Sequence, residues 1–214
     1  NVVVTTGHPD IGGSRASIAN ITAELLGIDV NRVSVLIGDT ASIGFSNLTG
    51  GSRVLFASAM VVTESTKQVV DILKQRAAKI WEIDEDAVNW ENGEARPAGD
   101  NAGKFKPLTL AEIADKATPT GGPIGAGHQV NTVGAEGGFA THICDVEVDI
   151  ELGIARVIRY TAVQDVGKAV HPAYVEGQLQ GGVAQGIGWA LNEEYIYNNK
   201  GQLDNPGFLD YRIP

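Results

Sequence analysis

The sequence has little of what marks a disulfide-bonded, metal-binding or membrane-spanning protein. Its single cysteine, Cys144, cannot form an internal disulfide and belongs to no Cys-x-x-Cys motif. A zinc ion or an iron–sulfur cluster held by this chain alone is therefore not expected, and the cysteine usage favours a reducing, cytoplasmic location. No apolar run is long enough to span a membrane, and no signal peptide is recognisable.

Positive charge is also scarce. The chain has 16 Lys and Arg against 26 Asp and Glu, a formal net charge of -10. Proteins that bind nucleic acid or anionic membranes need basic patches, so neither partner is expected. An acidic total still permits a local anion site built from backbone N–H groups.

Glycine is abundant, with 27 residues in 214, whereas proline is ordinary at 8. The glycines cluster where helices are predicted to begin. This distribution indicates close approaches of the backbone to other groups, and not a flexible Pro/Gly-rich chain.

Hydrophobic periodicity predicts strands beside one or two helices in each half of the chain. The first half has predicted strands at Val2–Thr6, Val33–Ile37 and Val88–Glu91, predicted helices at Ser14–Leu26 and Arg53–Trp81, and a short helix that begins with a Thr109–Glu112 capping box. The second half has a predicted strand from Ile143, its hairpin partner Ala155–Gln164, a helix over Ala173–Leu191, and a final hairpin between Glu194 and Asp204.

These elements predict an α+β fold with two α/β two-layer subdomains, in which mixed sheets carry packed helices, and not a doubly wound parallel sheet. The first subdomain is expected over residues 1–117 and the second over 139–214. Residues 118–138, rich in Gly, Pro and Thr, are predicted to link them.

Two Gly-rich loops run directly into helices in the first half. Gly50, Gly51, Ser52 and Arg53 precede the long helix, where free N–H groups and the positive helix end favour an anion. The alternative is a simple N-cap serine after a glycine turn. The loop from His8 to Gly12, Gly13 and Ser14 allows the same two interpretations.

The helix of the second half contains five glycines in the twelve positions from Gly177 to Gly188. Each glycine inside a helix costs about 1 kcal/mol relative to alanine, so the cluster needs a reason. Close packing against another element is one reason, and approach of a ligand to the helix backbone is the other. Gln178 and Gln185 offer amides that suit the edge of a heterocycle.

Common nucleotide and hydrolase motifs do not fit. The glycines do not follow a strand with an acidic residue downstream, as in a Rossmann motif, and no Gly-Lys-Ser/Thr follows them. His128, His142 and His171 are scattered, and no Ser/His/Asp set is implied.

Taken together, these segments resemble the molybdopterin-binding subunit of the xanthine dehydrogenase/aldehyde oxidase family of molybdenum hydroxylases. The resembling motifs are Ala23–Ile28, Val33–Ile37, Gly38–Thr40, Gly51–Arg53, Phe139–Asp149, Gln164–Gly167, His171-Pro172, Gly177–Gly188, Glu193-Glu194 and Asp210–Pro214. They cover nearly the whole chain, and Glu94–Gly134 is the weakest part.

The resemblance implies that this chain binds a molybdenum–molybdopterin cofactor, with the cytosine dinucleotide form as one option. The cofactor's own sulfurs hold the metal, so no protein metal ligand is expected. The implied cofactor-binding residues are Gln178, Gly50, Gly51, Ser52, Arg53, Val54, Gly12, Gly13, Ser14 and, more weakly, Gln185.

Two departures from the family pattern stand out. In the family, the loop that corresponds to Gly12–Ser14 usually contains Gly-Gln-Gly, but here Gly13 replaces the glutamine. Where the family usually has Asn-Pro, this chain has His171-Pro172. The family's catalytic glutamate is expected after Pro214, so no catalytic residue is assigned within this chain. The second subdomain is therefore expected to be incomplete at its C-terminus. The chain alone is expected to be inactive.

The implied activity is oxidation of a heterocycle or aldehyde with water as the oxygen source. The implied partners are the remaining molybdopterin-binding segments, iron–sulfur and FAD domains or subunits, and a small-molecule substrate. The alternative is a non-catalytic or degenerate cofactor-binding or assembly module, which the loss of the glutamine at Gly13 favours slightly.

Overall fold

The structure is a computed structural model that describes residues 1–132, 134 and 137–214. The chain divides into two compact units, Asn1–Gly134 and Ala135–Pro214. The boundaries predicted for the two subdomains and the linker remain predictions, and three residues of 118–138 (Val133, Ala135 and Glu136) lie outside the described part.

The first unit begins with a β–α–β arrangement. Strands β1 (Val2–Thr6) and β2 (Val33–Ile37) are parallel and in register from Val2 opposite Val33 to Thr6 opposite Ile37. Helix α1 (Ser14–Leu26) connects them. It ends where Gly27 adopts φ 68° and its N–H contacts the carbonyls of the last turn, which is the helix-terminating role that the sequence predicted for a glycine there.

The 29-residue helix α2 (Arg53–Trp81) follows, and then a small antiparallel sheet. Its strands are β3 (Val88–Glu91), β4 (Glu94–Pro97) and β5 (Leu108–Thr109). Asn92 and Gly93 both have positive φ, as a two-residue hairpin turn between right-twisted strands requires.

Two short helices, α3 (Leu110–Asp115) and α4 (Ala117–Thr120), complete this unit. The predicted capping box is confirmed. Thr109 Oγ1 accepts a hydrogen bond from Glu112 N at 3.2 Å, and the Glu112 carboxylate accepts one from Thr109 N at 2.8 Å.

The first unit buries two hydrophobic clusters, and α1 contributes residues to both of them. One is centred on Ile18, Val35 and Val62, between α1, α2 and the parallel pair. The other joins the C-terminal half of α2 to the antiparallel sheet and α3, and includes Leu73 and Ile113.

The second unit is built from a long hairpin and one helix. Strands β6 (Ala140–Asp149) and β7 (Ile154–Gln164) pair antiparallel with a register shift at Asp145/Val146. Helix α5 (Pro172–Leu191) begins with a proline at its first position. Among the described residues of this unit, Gly188 and Asn205 alone are buried.

The α+β class is confirmed, since parallel and antiparallel sheets coexist with packed helices. The predicted final hairpin is reduced to an isolated bridge between Tyr197 and Leu203. No helix in the described ranges combines the length and apolarity needed to cross a membrane.

Candidate functional site

The start of α1 is a tight loop held by a buried serine. Gly12 and Gly13 have φ of 60° and 76°, and Gly13 occupies the N-cap position without a side chain to cap the helix. Ser14 is 2% exposed, and its hydroxyl donates to Pro9 O and accepts from Ile11 N. Its hydroxyl therefore fixes the loop. The first N–H groups of the helix also have acceptors within the chain, because Ser14 N donates to Ile11 O at 3.1 Å and Arg15 N donates to Asp10 Oδ1 at 3.3 Å.

The start of α2 repeats this geometry. Gly51 and Ser52 have φ of 62° and 59°, and the Ser52 hydroxyl makes no capping hydrogen bond. Ser52 thus occupies the N-cap position, as one of the two interpretations predicted, but its side chain does not cap the helix, because a capping serine normally needs an extended backbone there. No acidic residue lies in the first turn, and a Cβ added at Gly51 would meet no atom within 4 Å.

Arg53 and Val54 lie in the first turn of α2 and serve different purposes. The Arg53 guanidinium donates to Leu48 O at 3.3 Å and to Thr132 Oγ1 at 3.0 Å, so it ties the preceding loop to a distant segment. Val54 is buried and its carbonyl accepts from Ser58 Oγ at 2.6 Å. Only the backbone N–H of Val54 is therefore available to a ligand.

A groove of about 720 Å³, called the β1 groove below, lies beside the parallel pair. It is lined by residues 2–8, 43–47 and 126–132, by Thr22 and Leu26 of α1, and by one side of α2. Arg53 lies at this groove, whereas Gly50, Gly51, Ser52 and the Gly12–Ser14 loop do not line it.

His8 is a further residue of the β1 groove, and its charge state is perturbed. Its N–H donates to Thr6 Oγ1 at 3.2 Å. Partial burial, and secondarily the positive charge of Arg53, lower the pKa of His8 below its ordinary value of 6.5. The neutral imidazole is thus favoured beside the arginine.

In the second unit, Gln178 and Gln185 are both exposed and lie on one side of α5, seven positions apart with Gly181 and Gly182 between them. Neither glutamine side chain hydrogen-bonds to any described residue. The helix therefore presents two amides that flank a stretch of bare backbone.

The glycines of α5 fall into two groups. A Cβ added at Gly177, Gly181, Gly182 or Gly186 would meet nothing within 4 Å, so packing against the described residues does not explain them. Gly188 differs, since a Cβ there would collide with the Glu193 carboxylate and lie 2.8 Å from Pro214 Cδ. Close packing thus accounts for one glycine of the five.

Glu193, which covers Gly188, also holds Tyr211. The Tyr211 hydroxyl donates to Glu193 Oε2 at 2.7 Å. This hydrogen bond, with smaller contributions from burial and from the carboxylate charge, raises the pKa of Tyr211 to about 12. Both residues belong to segments that resemble the family, Glu193-Glu194 and Asp210–Pro214, but no sequence signal indicated that they form a pair, because they are 18 positions apart in the chain.

Comparison with known proteins identifies the family. The model of the molybdopterin cofactor-binding domain matches residues 1–214. The chain is 30% identical to the nicotine 6-hydroxylase large subunit of Paenarthrobacter nicotinovorans, a match that covers all of this chain and 27% of that protein. The chain belongs to the molybdopterin cofactor-binding domain family, and the resemblance predicted from its sequence is confirmed.

Solved structures support the same assignment. Quinoline 2-oxidoreductase from Pseudomonas putida 86 superposes with a TM-score of 0.82 at 29% identity, over 99% of this chain and 28% of that one. The Cu,Mo-CO dehydrogenase in its carbon monoxide reduced state gives a TM-score of 0.87 at 23% identity, over 99% and 27%, and shows the shared fold. The chain thus spans little more than a quarter of the length of these proteins.

Proposed function

We propose that this chain is the cofactor-holding part of a molybdenum hydroxylase that oxidises a heterocycle or an aldehyde, with water as the oxygen source. The observation that carries the proposal is the start of α2, where Gly51 and Ser52 leave the first N–H groups of a 29-residue helix without a side-chain cap. The positive end of such a helix favours a phosphate. A heterocyclic substrate is supported by relatives whose names specify nicotine and quinoline.

The residues present fit a molybdopterin cofactor. In the first unit, the open backbone at Gly51 allows a phosphate to approach closely. The start of α1 contributes less, because the N–H groups of Ser14 and Arg15 already have acceptors within the chain. In the second unit, the free amide of Gln178 can pair with both donors and acceptors of a pterin edge. When bound, the cofactor supplies the sulfurs that hold molybdenum, at which the oxidation takes place.

The chain's own residues have binding and positioning roles. Gly12, Gly13, Gly50, Gly51 and Val54 contribute backbone groups, and Ser52 contributes an unengaged hydroxyl. Arg53 and Ser14 keep the two loops in shape through the hydrogen bonds already described. Gln185 is a second amide donor on α5. The base that accepts the substrate proton is proposed to lie outside residues 1–214.

The same proposal extends to partners and location. Iron–sulfur and FAD domains or subunits would carry the electrons away, and the cofactor would be the plain or the cytosine dinucleotide form. We place the assembled enzyme in the cytoplasm.

A cofactor-occupancy experiment on the full-length protein tests the proposal. Gln178→Ala should weaken cofactor retention about two- to tenfold, the effect of one lost hydrogen bond of about 0.5–1.5 kcal/mol. Gln180→Ala is the matched control, because Gln180 is also exposed on α5 but lies on another side of the helix. Molybdenum and pterin are quantified after purification, and equal contents in both variants would contradict the role of Gln178.

The replacement of the family glutamine by Gly13 favours a second candidate, a non-catalytic cofactor-binding or assembly module. Turnover separates the two functions. Full-length protein that contains molybdenum and oxidises a nitrogen heterocycle is an enzyme, whereas cofactor without turnover across heterocycles and aldehydes supports the module. Full-length protein without molybdenum or pterin excludes both.

A further inference from the structure

The turn between β3 and β4 contains the one Asn-Gly pair of the sequence, Asn92-Gly93. Asn92 is exposed and has φ 51°, whereas Gly93 is buried and has φ 79°. An asparagine that precedes glycine is especially prone to deamidation, because glycine has no side chain to hinder attack by its own amide nitrogen. The chemistry of the turn therefore favours a spontaneous covalent modification.

The reaction needs only water and a backbone that can rotate. The Gly93 nitrogen attacks Cγ of Asn92, the bond from Cγ to Nδ2 breaks, and Nδ2 leaves as ammonia with the proton of the Gly93 amide. Water then opens the succinimide ring at either of its carbonyl carbons. One product has aspartate at position 92. The other has isoaspartate, whose backbone runs through Cβ and Cγ and is longer by a methylene group.

The end of α1 opposes this rotation in the folded unit. A Cβ added at Gly27 would lie 2.9 Å from both Cα and the carbonyl carbon of Asn92, so the helix end is in contact with the backbone that has to move. In addition, Leu110 N donates to Gly93 O at 3.3 Å, and a Cβ on Gly93 would lie 3.2 Å from Ile28 Cγ2. The peptide unit between Asn92 and Gly93 is therefore held in the turn conformation.

The products of deamidation differ in how they fit this turn. Aspartate adopts the left-handed backbone more readily than most residues, so it can replace Asn92. Isoaspartate adds a methylene group to the backbone of the turn, at the position where Gly27 already contacts Asn92 Cα. A turn that contains isoaspartate therefore has no room to regain its contact with Gly27.

We propose that Asn92-Gly93 is a modification site that the end of α1 keeps closed. Deamidation takes place when the β3–β4 turn separates from Gly27, and the isoaspartate product prevents the turn from closing again. The modification thus marks, irreversibly, those molecules in which the junction between Gly27 and the turn has opened. It is independent of the cofactor.

Peptide mapping by mass spectrometry tests the closed state. Full-length protein is incubated at mildly alkaline pH, folded or in guanidinium chloride, and the loss of the Asn92 amide is followed over time. In the unfolded chain, Asn92 should be converted faster than any other asparagine. In the folded protein its conversion should be at least about a hundredfold slower, because the junction opens only rarely. A smaller ratio overturns the proposal.

Variants separate the role of α1 from that of the turn itself. Gly27→Ala places a methyl group against the turn, so deamidation should be at least about tenfold faster than in Gly99→Ala, which has φ 58° but open space around it. Trp90→Phe removes the hydrogen bond from Nε1 to Leu26 O and should accelerate deamidation about two- to tenfold, which provides the test if Gly27→Ala does not fold. Wild-type rates in the folded variants overturn the role of Gly27.

Hydrogen exchange tests the effect of the product. In Trp90→Phe protein aged until isoaspartate has formed, the Leu110 amide should exchange at least about tenfold faster than in the same variant with Asn92→Asp, because its acceptor is Gly93 O. Asn92→Asp is the matched control, since it has the same charge on an unaltered backbone. Equal exchange at Leu110 would show that the turn closes over isoaspartate, and this overturns the proposed irreversibility.

Discussion

The backbone of Gly27 lies directly against the backbone of Gly93. A Cβ on Gly27 would lie 2.5 Å from Gly93 N, and a Cβ on Gly93 would lie 2.7 Å from Gly27 O. Beside them, Trp90 Nε1 donates to Leu26 O at 3.0 Å. The end of α1 is thereby joined to the β3–β4 turn, and this junction links the helix to the antiparallel sheet.

Substitution at this junction should destabilise the first unit. Gly27→Ala combines a left-handed backbone, φ 68°, with an overlap against backbone atoms that cannot move away. We expect a loss of about 2–5 kcal/mol in the free energy of unfolding. Gly99→Ala is the control, because Gly99 has φ 58° but open space around it, and should cost about 1–2 kcal/mol.

Urea unfolding of both variants measures the difference. Since backbone strain is common to the two glycines, the excess loss in Gly27→Ala isolates the contact with Gly93. Equal losses in the two variants would show that the contact contributes nothing to stability.

The pH dependence of stability should contain a contribution from His8. Its pKa in the folded protein is below 6.5, so between that folded value and 6.5 the unfolded chain binds the proton more readily. The contribution is present above pH 6.5 and is lost as the pH falls through the folded pKa.

Replacement of the imidazole should remove this dependence. In His8→Gln, the free energy of unfolding should fall less on acidification than in the wild type, over the range from about pH 8 to about pH 5. Chemical denaturation at several pH values gives both curves. Parallel curves for the two proteins would argue against a perturbed His8.

Glu193 should control the ionisation of Tyr211. In Glu193→Gln the pKa of the Tyr211 phenol should fall from about 12 toward its ordinary value of 10, because the charged acceptor is lost. The ultraviolet absorbance of phenolate measures it in a pH titration. Glu194→Gln is the control, since Glu194 is exposed and does not accept from Tyr211. A phenol that titrates alike in both variants would count against the pair.

The pKa of the Tyr211 phenol also reports on the close packing at Gly188. Gly188→Ala must displace the Glu193 carboxylate, so the pKa of Tyr211 should fall as it does in Glu193→Gln. Gly186→Ala changes the same helix without touching Glu193, and should leave the pKa at about 12. A Gly188→Ala protein with an unshifted tyrosine would show that the close packing is relieved elsewhere.

Most of the secondary structure was predictable because it depends on local signals. The bounds of α1 and α2, the strand Val2–Thr6 and the capping box at Thr109 follow from periodicity and from helix-terminal residues. The two-residue strand β5 and the one-turn helix α4 were not predicted, since so few residues carry no periodic pattern.

The groove could not be predicted, because its walls are distant in sequence. Residues 43–47 and 126–132 meet β1 and α2 only through the tertiary fold. The sequence correctly placed both Gly-rich loops directly before helices, but it did not predict that the Ser52 hydroxyl makes no capping hydrogen bond. A serine before a helix predicts a cap, yet its left-handed backbone, at φ 59°, removes the hydroxyl from that role.

Ser52 also lowers the stability of the domain through its strained backbone, while the proposed function uses its hydroxyl. Glycine would adopt the same backbone without strain, so Ser52→Gly should stabilise the fold by about 1 kcal/mol. Under the proposed function, that gain removes a hydroxyl from the ligand. Engineering for heat tolerance would therefore select the very substitution that weakens the cofactor's hold, and a thermostable variant of this domain should be screened for metal content before it is used.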